Sequence, residues 1–229
     1  MPGGLMRFLS DRRTYRNMPG AESLRWRDAF PKLADRVGYS PYDSHYFHQD
    51  IWAAHRVAEL APERHVDVGS RVDLVGFLTS LTDVAYVDIR PLEAEVERLE
   101  SIAGSVLALP FADRSLESVS CLHVAEHIGL GRYGDPLDPL GTHKAAMELQ
   151  RVLRAGGQLL FSVPVGRPRV CFNAHRIHDP SEVVSMFSEL DLAEFSCIDD
   201  AGVFARHRAP AELAHASYAC GLYRFVRCA

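Results

Sequence analysis

The 229-residue sequence has no apolar run long enough to cross a bilayer, which takes roughly 18 or more consecutive apolar residues. Residues 1–10 also lack the extended apolar core of a secretory signal, so a cytoplasmic location is expected. Pro2 excludes N-myristoylation, which requires glycine at that position. Basic charge is not in excess: 25 Lys and Arg face 30 Asp and Glu, a net charge of −5. A nucleic-acid partner would need a basic stripe and is not expected. Cysteine is sparse and unpatterned. Cys121, Cys171, Cys197, Cys220 and Cys228 form no C-x-x-C pair and mostly lie in apolar runs, which reads as buried free thiols rather than a disulfide frame or a metal knuckle. No segment repeats.

What is present is a chain with 47% hydrophobic and 24% charged residues, enough for one well-filled core. It is organised around residues 65–88. An apolar run from His65 to Val68 breaks at Gly69 and Ser70, passes into an amphipathic segment, and returns as Val84 to Val87, ending on Asp88. That is strand, tight turn, helix, strand, the opening of a βαβ unit. Such a sheet binds ligands at the carboxyl ends of its strands, so residues from Asp67 to Arg71 and Asp88 are expected on one crevice. Here glycine is scarce: the turn lacks the later glycines of the dinucleotide pattern G-x-G-x-x-G, and side chains at Arg71 and Asp73 would obstruct a pyrophosphate. A nucleoside without phosphates makes no such demand. Asp88, 19 residues after Gly69, stands where a carboxylate meets the two hydroxyls of a ribose. S-adenosylmethionine (SAM) fits this description, with its carboxylate near Arg71; a bare glycine turn that binds nothing is the alternative.

Upstream, residues 1–42 are rich in Arg, Gly and Pro, with one helical candidate at 21–36 that Pro31 interrupts. Residues 43–60 place Ile51, Ala54, Val57 and Leu60 at helical spacing. Together these make an N-terminal helical cap, 1–60, ahead of a core domain, 61–229. His45 and His48, with Tyr46 and Phe47, either line the mouth of the site or form a hydrophobic cap on the sheet edge. Pro91 begins a short helix carrying Leu92, Val96 and Leu99, and a third strand follows at 102–107. Leu109, Pro110 and Phe111 form an apolar corner before a fourth strand at 116–124. A helix over 142–154 is capped by Thr142 and stopped by Gly156 and Gly157, and 158–165 reads as a central strand covered on both faces. Asp179 caps a helix over 181–190, and 192–200 with 218–228 make a final antiparallel pair.

The series "VDVGS", an acid closing the second strand, "LPFADRSLESV", "EHIGLG" and "RVLRAGGQLLFSVPVG", in that order over residues 64–166, resembles the class I SAM-dependent methyltransferases. "EHIGLGRYGDPLDP" with "FNAHRIHDP" is similar to a bacterial branch of that superfamily associated with surface polysaccharide genes. The resemblance implies an α/β fold: a doubly wound, seven-stranded, mostly parallel Rossmann-like sheet in the order 3-2-1-4-5-7-6. It implies SAM as cofactor and methyl transfer to a hydroxyl of a saccharide or other small polar acceptor. The cofactor-binding positions it implies are Asp67, Gly69, Ser70, Arg71, Asp88, Ser105, Leu109 and His123. Two positions depart from the superfamily pattern. Its later turn glycines fall on Arg71 and Asp73, and the acid that usually contacts the adenine amino group falls on Ser105.

The loop at 126–141 carries four glycines and two prolines and holds Glu126, His127, Arg132, Tyr133, Asp135 and Asp138 over the strand ends. Arg132 pairing with Asp135 or Asp138 to fix the loop is the structural alternative. A second polar cluster, Asn173, His175, Arg176, His178 and Asp179, follows the fifth strand and is expected to overhang the same crevice. A hydroxyl acceptor profits from a general base. His127 is the first candidate, with His175 and His178 as alternatives, because imidazole titrates near working pH. Glu126, Arg132, Tyr133, Asp135, Asn173 and Arg176 are the acceptor-binding candidates. A divalent cation among Glu126, His127, Asp135, Asp138, His175 and His178 competes, but no spacing matches a metal motif and no metal is expected. A nucleotide- or sugar-binding module without transfer chemistry and a nicotinamide-dependent oxidoreductase stand as other functions, the second disfavoured by the missing glycines. The expected partner is a small-molecule or glycan acceptor, and a homodimer is left open.

Overall fold

A computed structural model describes residues 2–228, and the chain divides into two compact units on either side of the Tyr42–Asp43 bond. The first unit holds helix α1 (Pro2–Arg16) and a single 3-10 turn at Trp26–Asp28. The helix expected over 21–36 is therefore absent. Its place is taken by irregular chain fastened to α1: the Arg12 guanidinium lies 3.9 Å from the centre of the Trp26 ring and donates to the Leu24 carbonyl at 2.8 Å. α1 itself escapes a periodicity search because its sequence has two early glycines and no apolar stripe.

The second unit starts with α2 (Ser44–Leu60), whose N-cap is Asp43: its carboxylate accepts from the N–H groups of His45 and Tyr46. α2 thus belongs with the sheet, and the division expected after residue 60 lies after residue 42. Then follow β1 (Arg64–Val68), α3 (Val72–Leu78), β2 (Asp83–Asp88), β3 (Leu99–Ala103), β4 (Leu116–Leu122), α4 (Gly141–Val152), β5 (Leu153–Val165), β6 (Arg169–Cys171), β7 (His175–Ile177), α5 (Pro180–Met186), β8 (Asp191–Ile198), β9 (Phe204–Ala205) and β10 (Ala219–Val226).

The main sheet runs β3-β2-β1-β4-β5-β10-β8-β9. β1 to β5 are parallel, and β10 lies antiparallel between β5 and β8. Omitting β9, this is the expected doubly wound order; the two-residue β9 adds an eighth strand at the edge. β6 and β7 form a separate hairpin. One face of the sheet is buried by Trp52, Ala53 and Val57 of α2 with Leu74, Val75 and Leu78 of α3. The other is buried by Ala145, Leu149 and Val152 of α4 with Val183 and Phe187 at α5. Coverage on both faces explains the near-continuous apolar runs of β1, β2 and β5. Among the described residues no helix is long and apolar enough to cross a membrane.

Three local expectations change. No helix forms after Pro91, because Leu99, the third residue of its apolar face, pairs instead with Val84 at the start of β3. Thr142 does not cap α4; its hydroxyl donates to the Ala125 carbonyl at 2.9 Å. Gly156 and Gly157 do not stop the helix either, since α4 passes directly into β5 and both glycines lie in that strand's irregular first half. All five thiols are free. Cys121, Cys197 and Cys220 are buried, Cys171 is half-buried and Cys228 is exposed.

Candidate functional site

The site is built at the carboxyl ends of β1, β2 and β4. β1 delivers the chain to Gly69, where φ is +72° and a Cβ would come within 3.1 Å of Val124 Cγ1 and 3.6 Å of Asp88 Oδ2. Only glycine meets both demands without strain. Beneath the turn, Asp67 is fully buried. It accepts the Ser70 N–H at 3.0 Å and the Ser120 hydroxyl, and His65 sits between the Ser118 and Ser120 hydroxyls at 2.8 Å each. This polar ladder spends Asp67 on holding the turn, and burial raises its pKa to about 6.

Several expected cofactor contacts are corrected accordingly. Asp67 is a pin below the turn and has no surface on the crevice. Ser70 is buried, its hydroxyl accepting the Leu122 N–H at 3.1 Å. Arg71 pairs with Asp73 at 2.9 Å and rests over the Tyr46 ring, 4.9 Å from its centre, outside the cleft. Leu109 is a core residue whose N–H donates to Glu148 at 2.6 Å.

Gly69, Asp88, Ser105 and His123 do line one cleft, together with Ile89, Arg90, Gly104, Val106, Val124, His127 and Tyr133. Its cavity volume is about 80 Å³, well below the roughly 300–1,000 Å³ usual for small-molecule sites, so it is a narrow slot. Asp88 Oδ1 accepts the Arg90 N–H at 2.7 Å and Oδ2 accepts the Tyr86 hydroxyl at 3.2 Å. A carboxylate offers about four acceptor positions, so capacity remains for a diol. Ser105 spends its hydroxyl accepting from Leu107 at 3.1 Å. Gly104 is required as glycine, since a Cβ would lie 2.8 Å from Val87 Cγ1. The slot is flanked by two bare glycines and closed by a carboxylate.

The loop after β4 and the β6–β7 hairpin meet over this cleft. His127 Nδ1 lies 2.6 Å from the Ala174 carbonyl, which also accepts from Arg132 at 3.1 Å. Tyr133 lies between two guanidiniums, Arg90 at 4.5 Å and Arg132 at 5.1 Å from its ring centre, and packs edge-on to His127 at 5.8 Å. His175 packs on Tyr218 at 5.2 Å, and Tyr218 stacks on His45 at 5.3 Å. The other predicted residues serve the loop itself. Asp135 accepts from Gly129 at 2.6 Å and Tyr133 at 3.3 Å, and Arg176 donates to the Ile128 carbonyl at 2.6 Å and the Asp138 carbonyl at 3.0 Å. Asp138 pairs with Lys144 at 2.6 Å, so Arg132 fixes the loop through Ala174 rather than through Asp135 or Asp138. Asn173 is exposed in the hairpin turn. His178 is buried, its N–H on the Pro164 carbonyl, and does not line the cleft.

Residues 77–206 match the protein-family model described as "Caenorhabditis protein of unknown function, DUF268", more than half of the chain. The chain belongs to the DUF268 family. Its matched region contains Asp88, the loop after β4 and the hairpin, and leaves out Gly69 and β10. No curated protein matches the chain. Solved structures share the fold. N-methyltransferase NodS from Bradyrhizobium japonicum WM9, in complex with S-adenosyl-L-homocysteine, is 13% identical, with 95% of this chain and 97% of that one covered and a TM-score of 0.55. Burkholderia thailandensis 1,6-didemethyltoxoflavin-N1-methyltransferase, with bound 1,6-didemethyltoxoflavin and S-adenosylhomocysteine, is 13% identical, covering 81% and 84%, with a TM-score of 0.54. The [4+2]-cyclase SpnF is 12% identical, covering 85% and 86%, with a TM-score of 0.59. These likenesses show a Rossmann-like methyltransferase fold; the acceptors and even the reactions named among them differ.

Electrostatics narrows what the DUF268 cleft can do. His127 is held neutral: burial lowers its pKa to about 4, and the positive Arg132 adds to this against the favourable bond to Ala174. Because Nδ1–H is committed to that carbonyl, Nε2 carries the lone pair. Next to it, Glu126 is 1% exposed, its carboxyl oxygens have no hydrogen-bond partner among the described residues, and burial raises its pKa to about 8. His127 Nε2 and Glu126 Oε1 are 3.7 Å apart, and burial favours the neutral form of both over an ion pair. An uncharged base on the cleft therefore lies beside an uncharged acid, Glu126, that is buried behind it and does not line it. The ring wall of Tyr46, His45 and Tyr218 was legible only as an aromatic-rich helix start and a distant tyrosine.

Proposed function

We propose that this protein is a SAM-dependent methyltransferase that methylates a hydroxyl of a saccharide or similar small polar acceptor. The observation that carries the reading is Asp88, which ends β2 on the cleft beside Gly69 with acceptor capacity to spare. In this reading Asp88 receives the ribose hydroxyls, and Gly69 and Gly104 allow the backbone to approach. Ser105 and Val106 lie against the adenine. With Arg71 turned to Asp73, the amino-acid end is met by backbone near Gly69. SAM supplies a methyl group already activated on sulfonium.

What the chain must do is hold an acceptor oxygen in line with that group and exclude water. Positioning of this kind lowers a barrier by about 7–11 kcal/mol. His127 Nε2 takes the hydroxyl proton; with its pKa lowered to about 4 it is a weak base and contributes less than the roughly 10²–10⁴-fold of one matched to working pH. Tyr133, Arg132 and His175 bound the acceptor side. A sugar suits this wall because it presents neutral hydroxyls and apolar C–H faces to rings. The likeness to a branch associated with surface polysaccharide genes points the same way.

The test is in two parts. Titration calorimetry of the protein with SAM, S-adenosylhomocysteine and NAD is expected to give heat with the first two only. Mass spectrometry of candidate glycans incubated with protein and SAM is expected to show the mass gain of one added methyl. Binding of SAM with no acceptor modified across hydroxyl, amine and thiol panels would favour a binding module, and no binding at all would end the methyltransferase reading.

A further inference from the structure

Three elements far apart in sequence bring ligand-type side chains together behind the cleft. His45 lies in the first turn of α2, His123 follows the last residue of β4, and Cys220 is the second residue of β10. One ligand atom from each lies within 4.8 Å of the other two. We propose that His45, His123 and Cys220 form a zinc-binding site.

His123 is oriented for such a role. Its Nδ1 is 2.5 Å from Gln49 Oε1, and Gln49 is itself fully buried. The same oxygen accepts the Ser162 hydroxyl at 2.5 Å, while the Gln49 amide nitrogen donates to Asp50 at 3.2 Å. This assigns the carbonyl oxygen to the side facing His123, so Nδ1 carries the proton and Nε2 the lone pair. That Nε2 is buried and has no hydrogen-bond partner among the described residues. A buried imidazole lone pair without a donor is costly unless something electrophilic meets it. A ring nitrogen fixed by an amide carbonyl on its far side is also how metal-ligating histidines are held.

The donor set is one sulfur and two nitrogens, which suits zinc with a fourth position left open. Zinc–nitrogen bonds near 2.0–2.1 Å and zinc–sulfur bonds near 2.3 Å put neighbouring ligand atoms of a tetrahedron about 3.3–3.6 Å apart. The cluster therefore closes by about 1 Å, a side-chain adjustment. His45 is half-buried and held by ring contacts to Tyr218 and His123, so it can make that movement. On binding, the Cys220 S–H bond breaks, the sulfur pair passes to zinc and the proton leaves to solvent; both imidazoles bind as neutral donors. His123 also lines the cleft, so the site lies next to it. Use of the open position by an acceptor heteroatom rests on the methyl-transfer reading; the metal site does not.

Full-length protein is loaded with zinc or with cobalt(II), desalted, and analysed for metal by mass spectrometry and for electronic absorption. The expected result is one ion retained per chain and, with cobalt, a sulfur-to-metal charge-transfer band. His123→Ala, His45→Ala and Cys220→Ala are each expected to weaken zinc binding at least tenfold, with the band lost in Cys220→Ala. A Cys171→Ser/Cys228→Ser double variant keeps both. Because the band is read first on the unmutated protein, a misfolded variant does not decide the matter. Wild-type protein that releases its metal on desalting, or a band that disappears in the double variant, overturns the site whether or not SAM binds.

Discussion

His127 Nδ1 lies 2.6 Å from the carbonyl oxygen of Ala174, so one hydrogen bond ties the loop after β4 to the turn of the β6–β7 hairpin. With Nδ1–H on that carbonyl the lone pair is on Nε2, which has Arg132 Nη1 at 3.5 Å.

From this follows the behaviour of His127→Ala. Turnover should fall, by less than the roughly 10²–10⁴-fold of a general base matched to working pH, while SAM affinity changes little. Burial lowers the imidazole pKa to about 4, so the base form persists well below pH 6 and the acid limb of kcat should be displaced to about that value. Steady-state rates from pH 4 to 9 with calorimetry on the variant check this. An acid limb near pH 6.5 or an equal loss of affinity and turnover would remove His127 from the role.

Glu126 makes a stability prediction with a definite sign. Its pKa rises from 4.5 to about 8 in the folded protein, so between those values the folded state holds a proton that the unfolded state has lost. Stability is fully present below pH 4.5 and declines at up to about 1.4 kcal/mol per pH unit until the folded pKa is passed. Glu126→Gln cannot titrate. Its stability relative to the parent should therefore grow from pH 5 to pH 8 and level off above, by a few kcal/mol in all. Denaturant titrations at pH 5, 7 and 9 measure the trend, and a difference between variant and parent that stays constant across them would mean that folding does not raise the Glu126 pKa.

The parallel sheet and its crevice were legible because strands buried on both faces must be apolar throughout, and because Gly69 and Asp88 sit where chain direction changes. Asp67 and Ser70 were adjacent to that turn in sequence and so looked like ligand contacts. Their burial depends on Ser120 and Leu122 of β4, which no local pattern reveals. In an extended strand neighbouring side chains face opposite ways, so His175 at the Tyr218 ring and Arg176 at the loop carbonyls were never going to share one surface. The grouping of His45, His123 and Cys220 needs three elements to be placed in space first, and residue spacing carries no trace of it.

Asp88→Ala should weaken SAM binding without unfolding the protein. Hydrogen bonds to a charged group are worth about 1.5–3 kcal/mol each, so a loss of tenfold or more in affinity is expected. Asp88→Asn should fall between the two, since an amide oxygen still accepts while the amide nitrogen disfavours the Arg90 N–H. Calorimetry on the three proteins tests the order; unchanged affinity in the alanine variant would place the ribose elsewhere.

Arg176 separates a structural reading of the hairpin from an acceptor-binding one. Its side chain is 8% exposed and its guanidinium fork holds the Ile128 and Asp138 carbonyls. Those same carbonyls leave no room for a Cβ at Gly141 and Gly129 respectively, so the loop is packed against its own backbone there. Removing the fork leaves the Ile128 carbonyl of a closely packed loop unsatisfied, at about 1–3 kcal/mol where it stays dry, while the Asp138 carbonyl keeps the Gly141 N–H at 3.1 Å. Arg176→Ala should lower the melting temperature by several degrees, at about 2–4 °C per kcal/mol for a domain of this size, and expose residues 126–141 to protease. Arg176→Lys should recover little, because an ammonium cannot span both oxygens. If Arg176 instead recognises the acceptor, the alanine variant will melt like the parent and show only a raised KM for the acceptor, and the clamp described here would have to be abandoned.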